Sequence, residues 1–167
     1  FFSFTSFKEI NRGGMGIVYK STIGHNSIAI KVSLNEWESD DEPNIIEQIN
    51  KNKFNNCNLI NARVLKNVNI NEKIEEKIIV MEFADGDLFD MFEDDLQNKR
   101  TRNNIKLKQL YNIMIECTSL IKCLYDNKIG YIDIKPENFL YKGNYGEPNF
   151  KILLGDLGSI CGAFGRQ

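Results

Sequence analysis

Apolar residues in this chain follow one period in its front half and another behind, and that change limits the folds open to it. In front, short β-rich runs recur: Ile17-Val18-Tyr19, Ile28-Ala29-Ile30-Lys31-Val32 and Ile78-Ile79-Val80-Met81. Further on, Leu107, Leu110, Tyr111, Met114, Cys117, Leu120, Ile121, Leu124 and Tyr125 recur at helical spacing. A stripe that broad predicts a largely buried helix over 107–125. Pro43 suits the first turn of another helix, carrying Ile45, Ile46 and Ile49. Two more strands are expected within 59–83, joined around Asn69 to Glu72. A short helix is expected over 88–96, and a hairpin from Phe139-Leu140-Tyr141 and Lys151 to Leu154. The expected fold class is α+β, with a β-rich segment at 1–84 and a mainly helical one at 85–167.

The 167 residues suffice for one domain or two small lobes. A net charge of −2 gives no reason to expect a nucleic acid or an anionic membrane as partner. No apolar run approaches the ~20 residues that span a bilayer. Four cysteines, none in a C-x-x-C pair, and a single His argue against a structural zinc site. Cysteines so scattered are expected to be free thiols in a reducing, cytoplasmic compartment. The first residue is Phe1, not Met, so the natural start is expected to be missing, and the absence of a targeting signal proves little.

Tyr131-Ile132-Asp133-Ile134-Lys135-Pro136-Glu137-Asn138 carries the chemistry. An Asp, a Lys two residues on and an Asn five residues on can accept a hydroxyl proton, neutralise a phosphate and hold a metal ion. Asn11-Arg12-Gly13-Gly14-Met15-Gly16-Ile17-Val18 is a Gly-rich turn whose backbone N–H groups can approach phosphate oxygens. It is neither a Walker A turn, because Tyr19 precedes Lys20-Ser21, nor a dinucleotide turn, because a strand follows it. Lys31 lies within an apolar strand. It is either a snorkelling edge lysine or one pinned by a carboxylate and reaching the α/β-phosphates. On the following helix Glu47 is the preferred partner and Glu42 the rival. Asp156-Leu157-Gly158 closes an apolar strand and supplies a second oxygen ligand beside Asn138 for Mg²⁺.

Together these motifs resemble a eukaryotic-type protein kinase, in the family's order and over nearly the whole chain. The resemblance implies a bilobal fold, with an antiparallel sheet and one helix in the N-lobe and a partial, mainly helical C-lobe. It implies ATP and Mg²⁺, and a protein substrate with a Ser or Thr hydroxyl, since Lys135 fits the Ser/Thr branch. Asp133 would take the substrate proton, Lys135 would meet the γ-phosphate, and Lys31 with Glu47 would serve the α/β-phosphates. Asn138 and Asp156 would hold the metal. Gly13, Gly14 and Gly16 would cover the phosphates. Val18, Ala29 and Leu140 would sandwich adenine, with Met81 as gatekeeper, Glu82 and Ala84 as hinge, and Asp87 on the ribose. Four departures stand out: Asn11 for the first Gly, Tyr131 for His, Ile132 for Arg and Leu157 for Phe. The family's peptide-binding segment and later helices do not follow Gly158, so a fragment is expected, with a partner or further chain covering the helix at 107–125. The rival readings are a pseudokinase-like scaffold and a small-molecule kinase.

Overall fold

The computed structural model describes residues 4–13, 16–33, 42–52, 57–70, 73–97 and 107–162. Two compact units emerge, one of residues 1–53 with 60–83, the other of 54–59 with 84–167. A cut at 84/85 would therefore miss that the short segment at 54–59 goes with the second unit.

The first unit is a five-stranded antiparallel sheet with one helix. Strands β1 (Thr5–Arg12), β2 (Gly16–Ile23), β3 (Asn26–Ser33), β4 (Ala62–Ile70) and β5 (Lys73–Glu82) lie in the order β1-β2-β3-β5-β4. Gly24, at φ 60°, opens the two-residue turn that joins β2 to β3, a conformation other residues adopt with difficulty. Strand alternation sends Ile30 and Val32 into a core with Ile70 and Ile78, closed by Phe7 and Tyr19. Ala29 and Lys31 take the opposite face. Helix α1 (Glu42–Asn52) buries Ile46 and Ile49, and its Asn50 amide donates to the Ala62 carbonyl of β4 at 2.9 Å.

In the second unit, β6 (Gly86–Asp87) leads into α2 (Leu88–Gln97), and α3 (Leu107–Asp126) runs into β7 (Ile129–Tyr131). Strands β8 (Phe139–Lys142) and β9 (Lys151–Leu154) form the hairpin, with β6 on the outer side of β8. A final strand, β10 (Ile160–Gly162), pairs with β7. Residues 57–59 are stitched to this unit: Leu59 bridges Leu154, and Leu154 N–H donates to Asn58 O at 3.0 Å.

Two expectations are corrected here. Helix α3 is not buried all round. Ile113, Leu120 and Leu124 are buried, but Tyr111 is 64% and Met114 59% exposed. Its apolar stripe is wide enough to serve two faces, and in this unit one of them packs inward. The other borders an apolar groove of about 470 Å³ shared with Leu88 and Phe92 of α2 and with Ile134. Nor are all four thiols free. Cys57 and Cys123 form a disulfide, their Cα atoms 5.4 Å apart and 66 residues apart in sequence, while Cys117 and Cys161 are free. Tertiary folding, not spacing, brings that pair within bridging range, and the inference of a reducing compartment loses its premise. None of the described helices is long and apolar enough to cross a membrane.

Closing a loop that long restricts the unfolded chain, an effect of about 2–4 kcal/mol. The Cys57→Ala/Cys123→Ala variant is expected to unfold at correspondingly lower urea concentration. Equal midpoints for the variant and the oxidised parent would contradict this.

Candidate active site

In the first unit, register places the expected nucleotide-facing residues on one surface of the sheet. Val18 pairs with Lys31 and Lys31 with Ile79; Lys20 pairs with Ala29 and Ala29 with Met81. Paired residues share a face, so Val18, Ala29, Lys31 and Met81 stand on the surface opposite the Ile30 core. Gly16 lies where a Cβ would come within 2.6 Å of the Val32 carbonyl, so strand packing alone requires a glycine there. Gly13 N–H closes the turn onto Gly16 O at 3.0 Å, and a Cβ at Gly13 would meet nothing within 4 Å. Gly14 lies outside the described residues.

The partner of Lys31 is Glu42, not Glu47. Lys31 Nζ and the Glu42 carboxylate form an ion pair and hydrogen bond, with side chains 13% and 3% exposed. Helical phase decides the choice. Glu42, Ile46 and Ile49 fall at i, i+4 and i+7 on the buried stripe of α1, whereas Glu47 is turned roughly 100° from Ile46 and is exposed. At the end of β5, Glu82 exchanges two bonds with Asn61: its N–H donates to Asn61 O at 2.9 Å, and its Oε1 accepts Asn61 N–H at 3.1 Å.

The second unit gathers the remaining polar groups. After β7 the chain runs extended, because Lys135 precedes a proline and stands at φ −153°, ψ 156°. A 3-10 turn at Pro136–Asn138 then folds Asn138 back beneath Asp133. Asn138 is 7% exposed, and its Nδ2 donates to Asp133 O at 2.8 Å and to Asp133 Oδ2 at 3.0 Å. Lys135 Nζ reaches the same Oδ2 at 2.6 Å. The Lys135 hydrogen bond first, and the Asn138 amide second, hold the Asp133 carboxyl below the usual carboxylate range. Asp133 in turn raises the Lys135 ammonium, with Asp156 and Glu137 adding to the field.

Asp156 is joined to this loop through its neighbours. Gly155 N–H donates to Asn138 O at 2.9 Å, and Leu140 packs against Gly155. Leu157 is buried at 2%, so the apolar exchange at that position keeps its packing role. Tyr131 donates a long bond, 3.4 Å, to Gly155 O, while Ile132 is 78% exposed. Asp87 has a role that sequence reasoning missed: its Oδ1 accepts Asp90 N–H at 2.9 Å and caps α2. Burial pushes its carboxyl upward. An Asp directly before the apolar run from Leu88 was the available signal. Ala84 opens the segment and is half-buried.

The sequence profile of the protein kinase domain family matches residues 4–163. A receptor-like protein kinase of Arabidopsis thaliana, LEAF RUST 10 disease-resistance locus receptor-like protein kinase-like 2.8, is 28% identical over 144 residues. That alignment takes in 83% of this chain, and the chain spans only 15% of the length of that relative.

Glu42→Ala strands a buried ammonium, and is expected to lower unfolding free energy by about 3 kcal/mol in urea melts. Glu47→Ala, on the exposed face, should stay within about 0.5 kcal/mol of the parent; the reverse ranking would refute the pairing. Because Lys135 is the main cause of the low Asp133 pKa, the Asp133 carboxyl should titrate at higher pH in Lys135→Met than in the parent. Carboxyl-carbon NMR reads this directly, and an unmoved or lowered value would contradict it.

Proposed function

The chain belongs to the protein kinase family, and we propose that it is an ATP-dependent serine/threonine kinase domain that moves the γ-phosphate of ATP to a protein hydroxyl. The convergence of Lys135 and Asn138 on a single carboxylate, Asp133, carries this reading. A carboxylate held in place by two donors is positioned to accept the proton of an attacking hydroxyl. As that oxygen bonds to phosphorus, the bond to the ADP oxygen breaks and the proton passes to Asp133. Lys135 then offsets charge on the transferring group, and Lys31, held by Glu42, meets the α/β-phosphates. Lys135, two residues after Asp133, supports the Ser/Thr branch.

The donor set fits Mg²⁺. With Asn138 Nδ2 bonded to Asp133 and Asp156 Oδ2 bonded to Ser159, each residue keeps an oxygen to offer. No group of three or more His, Cys, Asp or Glu stands together among the described residues. Mg²⁺ needs none, since one or two protein oxygens, phosphates and water complete its shell. When bound, the ion neutralises phosphate charge and orients the leaving group. Val18, Ala29 and Met81 supply an apolar surface for adenine, to which the reading adds the hinge backbone of Glu82 and Ala84, and Leu140. Asp87 is assigned to the ribose, and Gly13, Gly14 and Gly16 to the phosphates.

Transfer of labelled γ-phosphate to a generic Ser/Thr protein substrate tests the proposal in the full-length protein. Asp133→Asn is expected to lower turnover by about 10²–10⁴-fold with ATP affinity nearly unchanged, since the residue acts on the transferring step. Bound ATP without transfer by either form would favour a non-catalytic scaffold instead.

A further inference from the structure

Ser159 follows the Asp156-Leu157-Gly158 turn, and its bonds run in two directions. Its Oγ donates to Asp156 Oδ2 at 2.9 Å. Its N–H donates to Asp156 O at 3.2 Å, and its carbonyl accepts Ile132 N–H at 3.2 Å. One residue thus ties the Asp156 carboxylate to the main chain directly before Asp133. Asp156 stands in left-handed backbone, φ 41° and ψ 64°, a region that non-glycine residues occupy when their surroundings fix them there. Backbone anchors exist on both sides, through Gly155 to Asn138 and through Ser159 to Ile132. What they leave undetermined is the rotation of the Asp156 side chain, and the Ser159 hydroxyl acts on that.

Resting on the reading of Asp156 as a metal ligand, we propose that Ser159 is a positioning residue whose hydroxyl holds Asp156 Oδ2 and so presents Oδ1 to a divalent cation. A hydroxyl donates a single hydrogen bond, so it occupies one carboxylate oxygen and leaves the other free. Single-oxygen ligation suits Mg²⁺, which keeps a compact octahedral shell. Ser159 is well placed to be selective in this. It is half-buried, and in sequence it lies between Leu157 and Ile160, which are 2% and 4% exposed and anchor the turn on both sides. Partners that orient a metal ligand in this way typically alter affinity by about 10–100-fold.

Mn²⁺ binding to the full-length protein in the presence of ADP, followed by electron paramagnetic resonance, is the test. Ser159→Ala is expected to weaken Mn²⁺ about tenfold and to leave ADP affinity in EDTA unchanged. Ser159→Thr, which keeps the hydroxyl, should restore the parent affinity. Should the alanine variant melt early, Ser159→Cys serves in its place, keeping the volume with a poor donor. Asp156→Asn provides the reference. Parent-like Mn²⁺ binding in Ser159→Ala beside a defective Asp156→Asn overturns the role of Ser159 alone. Parent-like binding in Asp156→Asn overturns the metal assignment and the positioning role with it.

Discussion

Residues 133–135 have neither helix nor ladder to hold them, and the side-chain amide of Asn138 takes over that task. A buried amide must find partners or forfeit its hydration. Asn138 finds them in both the carbonyl and the carboxylate of Asp133, so the loop is pinned at main chain and side chain at once. Its own carbonyl holds Gly155, which passes the constraint to the Asp-Leu-Gly turn. A proline between Lys135 and Glu137 makes the arrangement economical, because it fixes the backbone on which Asn138 turns back.

The direction of Lys31 depends on the parity of one strand. β3 alternates between Ile30 and Val32 on the core face and Ala29 and Lys31 on the other. A slip of one residue would exchange the two sets, burying an ammonium where Ile70 and Ile78 now pack. The apolar core therefore fixes the lysine's direction, and α1 need only bring a carboxylate to meet it. Its first turn does so, with Glu42 on the same stripe as Ile46 and Ile49.

Local patterns were legible in the sequence, while long-range pairings were less so. Asp133, Lys135 and Asn138 lie within one short loop, and their types and spacing already imply mutual contact. The strands declared themselves by β-branched runs, and α3 by its period. Choosing Glu42 over Glu47 required the phase of a helix whose first residue the sequence marks only through Pro43. A difference of five residues turns a carboxylate from core to solvent. Cys57 and Cys123 belong to no motif, and only the packing of 57–59 onto the second unit makes them neighbours. The two-sided stripe of α3 carries a further lesson. Apolar period reports what a helix is able to bury, and the surroundings decide how much of that is used.

Because 57–59 is integral to the second unit, that unit is topologically discontinuous. The chain visits it for a few residues, returns to build β4 and β5, and only then supplies the rest. A piece starting at residue 84 would lack the strand-like neighbour that Leu59 gives β9 and would deprive Cys123 of its disulfide with Cys57. Synthesis from the N-terminus therefore produces the anchor long before its berth exists. The segment must wait, unsupported, until α3 and the hairpin emerge, so this half of the molecule completes itself by capturing an earlier part of its own chain.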